Sequence, residues 1–278
     1  MRDGQPDREN ESVLRFENVS LFFDHVPALD QVSFEMAAGE TRIVLGAAGS
    51  GKTSLLKIAI GLLKADSGRI YLFGQDITNL RERSLYDIRS RVGVLFQEGG
   101  LFDSLTVGEN VAYPLLNQRV RIEEEKDTGQ VEEKVKEALR FVELEQTLDQ
   151  FPNELSGGMR RRVGIARAVV TEPPLVLYDS PTAGLDPITA NTIMALVAKE
   201  RDSKNTANLI VTHRYQDGEI MANFRYNPEH HKLEPANGGG QAIHTIFMVM
   251  NEGKLVFEGT KKELEASPDT YLQKFVRR

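Results

Sequence analysis

Apolar and polar positions alternate over residues 14–21 and again over 29–36, the signature of half-buried strands. Residues 24–28 and 37–40 read as the turns that follow them. Short, mostly apolar runs then recur at 41–45, 92–97, 175–178 and 209–212, a pattern that suits strands covered on both faces of a parallel sheet. Helices are predicted after the first of these runs (53–60), and over 84–90, 160–171, 189–201 and 261–275. Val131, Val135, Leu139 and Val142 repeat at helical spacing, so 131–142 is an amphipathic helix. Residues 64–74 read as a turn and a short strand, and 99–114 as a loop with helical turns. Residues 245–250 and 254–258 flank Asn251, Glu252 and Gly253 and predict a hairpin. Two stretches break the rhythm. Residues 118–130 are strongly charged, with Glu123, Glu124 and Glu125 in a row, and read as a solvated face or loop. Residues 216–241 hold Pro228, Pro235 and three consecutive glycines, Gly238 to Gly240, and read as an irregular insertion. The whole is a small antiparallel piece ahead of a parallel α/β core.

Length and composition narrow the classes. With 278 residues, of which 40% are hydrophobic, the chain builds a sizeable core in one or two domains. Residues 1–10 are polar, unlike a secretory signal, and no apolar run approaches the about 18 residues that span a bilayer. The expectation is a cytoplasmic protein whose membrane contact runs through a partner. A net charge of −7 gives no overall basic field, so nucleic acid is not an expected partner. The absence of cysteine removes thiol nucleophiles and cysteine-held metals. His230 and His231 stand in a polar stretch and read as a solvated loop.

The chemistry concentrates in one stretch. Gly46, Ala47, Ala48, Gly49, Ser50, Gly51, Lys52, Thr53 and Ser54 fit G-x-x-x-x-G-K-[ST] between a buried strand and a helix. Glycines let the backbone turn its N–H groups toward phosphate oxygens. The helix start is an anion site, Lys52 reaches terminal phosphates, and the Thr53 hydroxyl suits Mg²⁺. Asp179 ends a buried strand, where a carboxylate completes an Mg²⁺–nucleotide site. Gln97 ends another strand and faces the same crevice, in reach of Mg²⁺ or the attacking water. His213 ends a third and can hydrogen-bond the γ-phosphate or that water. Phe23, at the hairpin tip, offers a flat face to adenine, with a place in the core as the alternative. Ser156, Gly157 and Gly158 open a helix whose free N–H groups make a second anion-binding element without a lysine. Arg160, Arg161 and Arg162 in its first turn oppose the helix dipole, so a nearby anion or solvent must offset them.

Taken together and in this order, residues 46–53, Gln97, 155–158, 175–179, 183–186 and His213 resemble the ATP-binding subunit of an ABC transporter over nearly the whole chain. The resemblance implies an α/β fold. It is a P-loop NTPase with a RecA-like, mostly parallel sheet, a small N-terminal antiparallel β subdomain and an inserted α-helical subdomain. One domain would cover 14–275, with the RecA-like core at about 14–85 and 172–275 and the helical subdomain at about 86–171. A polar tail occupies 1–13 and the irregular insertion 217–243. The implied assembly is a head-to-tail dimer with a second ABC ATPase subunit, identical or related, docked on an integral-membrane permease at the inner face of the cell membrane. Two ATP molecules with Mg²⁺ would lie between the phosphate loop of one subunit and Ser156, Gly157 and Gly158 of the other. Lys52 would hold the β- and γ-phosphates, Thr53, Gln97 and Asp179 the Mg²⁺, Phe23 the adenine, and His213 would sense the γ-phosphate. Residues 96–115, F-Q-E-G-G-L-F-D-S-L-T-V-G-E-N-V-A-Y-P-L, are similar to the Mla-type subgroup that moves phospholipid or other hydrophobic lipids.

One position departs from the family. The residue after Asp179 is Ser180, where the family pattern has a glutamate that polarises the attacking water. A serine hydroxyl is no base near neutral pH, and losing a general base removes roughly 10²–10⁴-fold in rate. Three explanations compete. The chain is a slow ATPase, or a degenerate regulatory subunit with little hydrolysis beside a working partner. Another group, such as Glu98 or His213, positions the water. Or the position was altered to trap the ATP-bound dimer.

Overall fold

The first two strands run closer together than their alternation suggests. The structure, a computed structural model, describes residues 12–117, 128–236 and 243–277. In it β1 (Ser12–Phe23) and β2 (Val26–Ala37) leave only Asp24 and His25 as the turn. Both turn residues have positive φ (46° and 67°), the geometry of a tight two-residue hairpin. The predicted turn at 24–28 is therefore shorter, and Val26, Pro27 and Ala28 belong to a strand. β1 and β2 join β4 (Ser67–Leu72) and β5 (Gln75–Asp76) in an antiparallel sheet of order β2-β1-β4-β5.

The main sheet has the order β12-β11-β3-β8-β7-β6. At its centre lie β3 (Thr41–Gly46), β8 (Ala207–Val211) and β7 (Leu175–Asp179), every residue of which is buried. β6 (Val92–Leu95) pairs parallel with β7, and β11 (Thr245–Asn251) pairs parallel with β3. The hairpin partner β12 (Lys254–Gly259) closes the far edge antiparallel. Alternate residues of β3 serve opposite sides. Ile43 and Leu45 join a cluster formed with α3 (Val107–Leu116), α4 (Thr128–Phe141), α5 (Gly157–Val169) and α6 (Pro187–Lys204). Val44 joins one formed with the antiparallel sheet, α1 (Lys52–Ala59) and α2 (Glu82–Arg89). Because β6 belongs to the main sheet, an inserted helical segment starting at 86 begins too early; the helical part follows β6.

Three further expectations need correction. Residues 99–114 are not merely a loop: α3 starts at Val107 on a Thr106–Glu109 capping box, and the buried Asn110 amide bonds the backbone of Phe102, Leu105 and Thr106. The closing helix is two, α8 (Lys261–Ala266) and α9 (Thr270–Val276), split at Ser267 and Pro268 because proline breaks the helical ladder. The stretch read as irregular at 216–241 holds α7 (Tyr215–Asn223) and a ribbon of β9 (Phe224–Asn227) and β10 (Lys232–Pro235). Tertiary bonds order that ribbon: Arg201 on α6 donates to the carbonyls of Met221 and Phe224, and the Tyr226 N–H donates to Asp202. Residues 237–242, with the run 118–127 and the tail residues 1–11, lie outside the described residues.

Glu200 on α6 is 3% exposed and accepts one hydrogen bond, from Thr206. Burial pushes its carboxyl above the ordinary range. Below that range the group is neutral in folded and unfolded chains alike; above it the unfolded chain ionises first, so stability falls as pH rises through the folded value. Glu200→Gln should therefore raise the thermal midpoint above neutral pH, by about 2–4 °C per kcal/mol relieved. Calorimetry at two pH values checks this, because the gain should vanish in acid.

Candidate nucleotide site

Strand β3 delivers the chain into the phosphate loop, and Gly51 sets the geometry at its far end. Gly51 has φ 101°, and a Cβ there would fall 2.1 Å from the Ala28 carbonyl, so no other residue fits. Gly49 has φ 78° with nothing within 4 Å of a built Cβ, leaving its backbone open to an incoming oxygen. Lys52 then opens α1 without any side-chain cap, which keeps the first N–H groups of the helix available. Its Nζ donates to the carbonyls of Gly46 (2.8 Å) and Ala47 (2.7 Å) and to Ser50 Oγ (3.3 Å). Burial lowers the ammonium from its ordinary range, and the Asp179 carboxylate opposes that shift.

The loop forms one wall of a cavity of about 480 Å³. Ala48, Gly49, Gly51, Lys52, Thr53 and Ser54 line it, together with Phe23, Gln97, Ser180 and His213. Residues from five separate stretches thus meet around one space. Gly46, Ala47 and Ser50 lie inside the loop as partners of Lys52 rather than in the cavity wall. Phe23 is 51% exposed, so it is not a core residue, and it lines the cavity from the end of β1. Val26, Pro27 and Ala28 also line the cavity and were not anticipated. The sequence shows only an apolar residue, Val26, next to the hairpin turn; its 66% exposure is visible in the structure alone.

Asp179 ends β7 with 7% exposure and lines a second, narrow cleft, to which Thr53 also contributes. Thr53 therefore lines both the cavity that Gln97 lines and the cleft that Asp179 lines. Hydroxyl, amide and carboxylate oxygens form a hard donor set that fits Mg²⁺ held mainly by phosphates and water. Gln97 does not end a strand as expected. β6 stops at Leu95 and Gln97 opens a 3₁₀ turn, Gln97–Gly99, whose last carbonyl, with that of Gly100, accepts from Arg167 on α5. The Glu98 side chain lies outside the described ones.

Ser180 sits at φ 51°, a left-handed conformation seldom adopted by a residue other than glycine. Its N–H donates to Val211 O and its hydroxyl to Asp179 Oδ1 at 3.2 Å. Ser156 caps α5, accepting from the Met159 N–H, and neither it nor Gly157 nor Gly158 lines the cavity. The two stretches that read as anion-binding elements therefore do not line one cavity within the chain. The three arginines after Ser156 need no anion. Arg160 donates to Leu155 O, Arg162 to Val142 O, and the buried Arg161 to Ser180 O (2.7 Å) and Ala183 O (3.1 Å). Carbonyl dipoles supply the offset that the sequence alone assigned to an anion or solvent.

The model of the ABC transporter family matches residues 29–183. An intermembrane phospholipid transport system ATP-binding protein, MlaF of Haemophilus influenzae, is 29% identical over 96% of this chain and 91% of its own. A methionine import ATP-binding protein, MetN 1 of Bacillus thuringiensis subsp. konkukian, is 33% identical over 95% of this chain and 71% of its own. Among solved structures, the dimeric post-hydrolysis ATP-binding cassette MJ0796 with ADP and Pi superposes with a TM-score of 0.74, at 27% identity, over 89% of this chain and 98% of that one. CbiO1 of Clostridium perfringens, part of the cbiONQ ABC transporter complex, gives 0.73 at 25% identity, over 96% and 95%. None of these relatives supports the reading of a regulatory chain with little turnover.

Proposed function

The chain belongs to the ABC transporter family as an ATP-binding subunit, and from that premise we propose that it hydrolyses ATP slowly at a head-to-tail dimer interface to drive lipid transport by a membrane permease. The single observation that carries the dimer is the separation of the two anion-binding elements. The lysine-bearing loop faces one cavity, while the Ser156 cap does not enter it. Each cap then serves the nucleotide of the other subunit. Lys52 binds the terminal phosphates, Phe23 stacks on adenine, His213 contacts the γ-phosphate, and Thr53, Gln97 and Asp179 hold Mg²⁺ in this reading. Bound Mg²⁺ neutralises phosphate charge, and the chain's own residues orient the nucleotide and the water.

Lipid as the cargo class rests on residues 96–115 and on the similarity to MlaF along nearly the full length of both chains. The higher identity to MetN favours methionine import as the second reading. No helix among the described residues is long and apolar enough to cross a membrane, which suits a peripheral subunit held at the inner face by a permease.

The dimer is tested by light scattering on the purified chain. Addition of Mg-ATP should convert a species of 31.1 kDa into one of twice that mass. Ser156→Arg should block the conversion while leaving Mg-ATP binding to the monomer intact. A wild-type chain that stays monomeric with ATP bound would overturn the shared site.

A further inference from the structure

We propose that Asp217 is a positioning residue that sets His213 and Ser180 at a fixed spacing across the nucleotide cavity, acting through the hydroxyls of Thr182 and Thr212. The inference rests on the reading of His213 as the group that contacts the γ-phosphate and of position 180 as the place from which the attacking water is reached. Asp217 lies in the first turn of α7 and has 0% exposure, so it touches neither the cavity nor solvent. Its Oδ2 accepts from Thr182 Oγ1 at 2.6 Å and from Thr212 Oγ1 at 2.7 Å. Arg214 Nε lies 3.8 Å from its Oδ1.

These partners are placed with purpose relative to the cavity. Thr212 and Arg214 are the two neighbours of His213, and the Thr212 hydroxyl also accepts from the Arg214 N–H at 3.1 Å. The turn that carries His213 is therefore held from both sides by one carboxylate. Thr182 follows Ser180 by two residues, in a loop closed by the Ala183 N–H on Ser180 O. One buried group thus spans the two chain segments that deliver Ser180 and His213 to the cavity wall. Burial pushes the carboxyl up from its ordinary range, a cost that an apolar residue would avoid. Side-chain hydrogen bonds from two threonines fix distance and direction, which apolar packing does less well. Misplacement of a reacting group by about 1 Å costs on the order of 10²-fold in rate.

The experiment uses the full chain, with Mg-ATP turnover resolved into kcat and KM, Mg-ATP affinity measured with a fluorescent ATP analogue, and thermal unfolding recorded. Asp217→Val should lower kcat by about tenfold or more with affinity within about twofold of wild type. Asp217→Asn keeps an acceptor oxygen of the same reach and should restore most of kcat. Thr182→Val and Thr212→Val should each reproduce part of the loss, and Thr212→Ser, which keeps the hydroxyl, should recover it. The double threonine variant should be no worse than Asp217→Val, because all three act in one network. Unchanged kcat in Asp217→Val overturns the proposal. So does a joint fall of kcat, affinity and melting temperature that Asp217→Asn fails to rescue, since that marks a folding role alone. A wild-type chain that neither binds nor hydrolyses Mg-ATP removes the proposed function itself, and the positioning role with it. A turning-over wild type with indifferent variants removes only the positioning role.

Discussion

Lys52→Ala should weaken Mg-ATP binding by about 10²-fold, or about 3 kcal/mol, while the fold survives. The loss follows from charge. Lys52 is the cation of the loop, it lines the cavity, and its Nζ is already gathered over the loop by the Gly46 and Ala47 carbonyls. A triphosphate brings concentrated negative charge to that point, and hydrogen bonds between ionised partners are about twice as strong as neutral ones. The backbone N–H groups of the loop and of α1 remain in the variant, so residual binding persists at high nucleotide concentration. Lys52 is only half-buried and fills no core space, so thermal unfolding without nucleotide should shift little. Calorimetric titration of both proteins with Mg-ATP decides the matter. Equal affinity would show that the nucleotide lies elsewhere.

Ser180→Glu should accelerate ATP turnover by roughly 10²-fold without tightening binding. Ser180 lines the cavity beside Gln97 and His213, and its hydroxyl donates to Asp179. A glutamate in its place reaches one methylene further into the cavity and ends in a carboxylate, which is a base. Its neighbour Asp179 is buried and acidic, and a second carboxylate beside it has its pKa driven upward, toward the range where a general base is most effective. The backbone at 180 is already left-handed, so the exchange adds no new strain of that kind. The rate of the glutamate variant should fall as pH drops, because protonation removes the base. Steady-state hydrolysis of wild type and variant at saturating Mg-ATP tests this. A variant that binds ATP but turns over no faster would clear Ser180 of the deficit and turn attention to the other groups around the cavity.

Lys52 was readable because its function is local: strand, glycine turn, lysine and helix start are contiguous, and the chemistry of the loop is the chemistry of consecutive residues. Ser180 was readable only through resemblance, since nothing in a serine by itself signals a missing carboxylate. Gln97 lines the cavity, but not from the end of a strand as its sequence context suggests. Its strand ends two residues earlier, and a turn held by Arg167 from a distant helix aims the stretch instead. The conflict of Arg160, Arg161 and Arg162 with the helix dipole is legible in the sequence, whereas the carbonyls that relieve it lie up to 22 residues away.

By itself the sequence determined the alternation that builds the hairpin, the buried runs that stack into a parallel sheet and the identity of the phosphate loop. Each depends on neighbours within a few residues, where steric and hydrogen-bonding preferences act directly. Only the tertiary structure decided that Phe23, Gln97, Ser180 and His213 ring one cavity, that the Ser156 cap stands outside it, and that residues 224–235 form a ribbon rather than an irregular excursion. It also decided that Asp217, unremarkable in the sequence, joins two loops beneath the site. Those outcomes rest on long-range packing and on where buried polar groups find partners, and no local pattern encodes which distant residue will supply them.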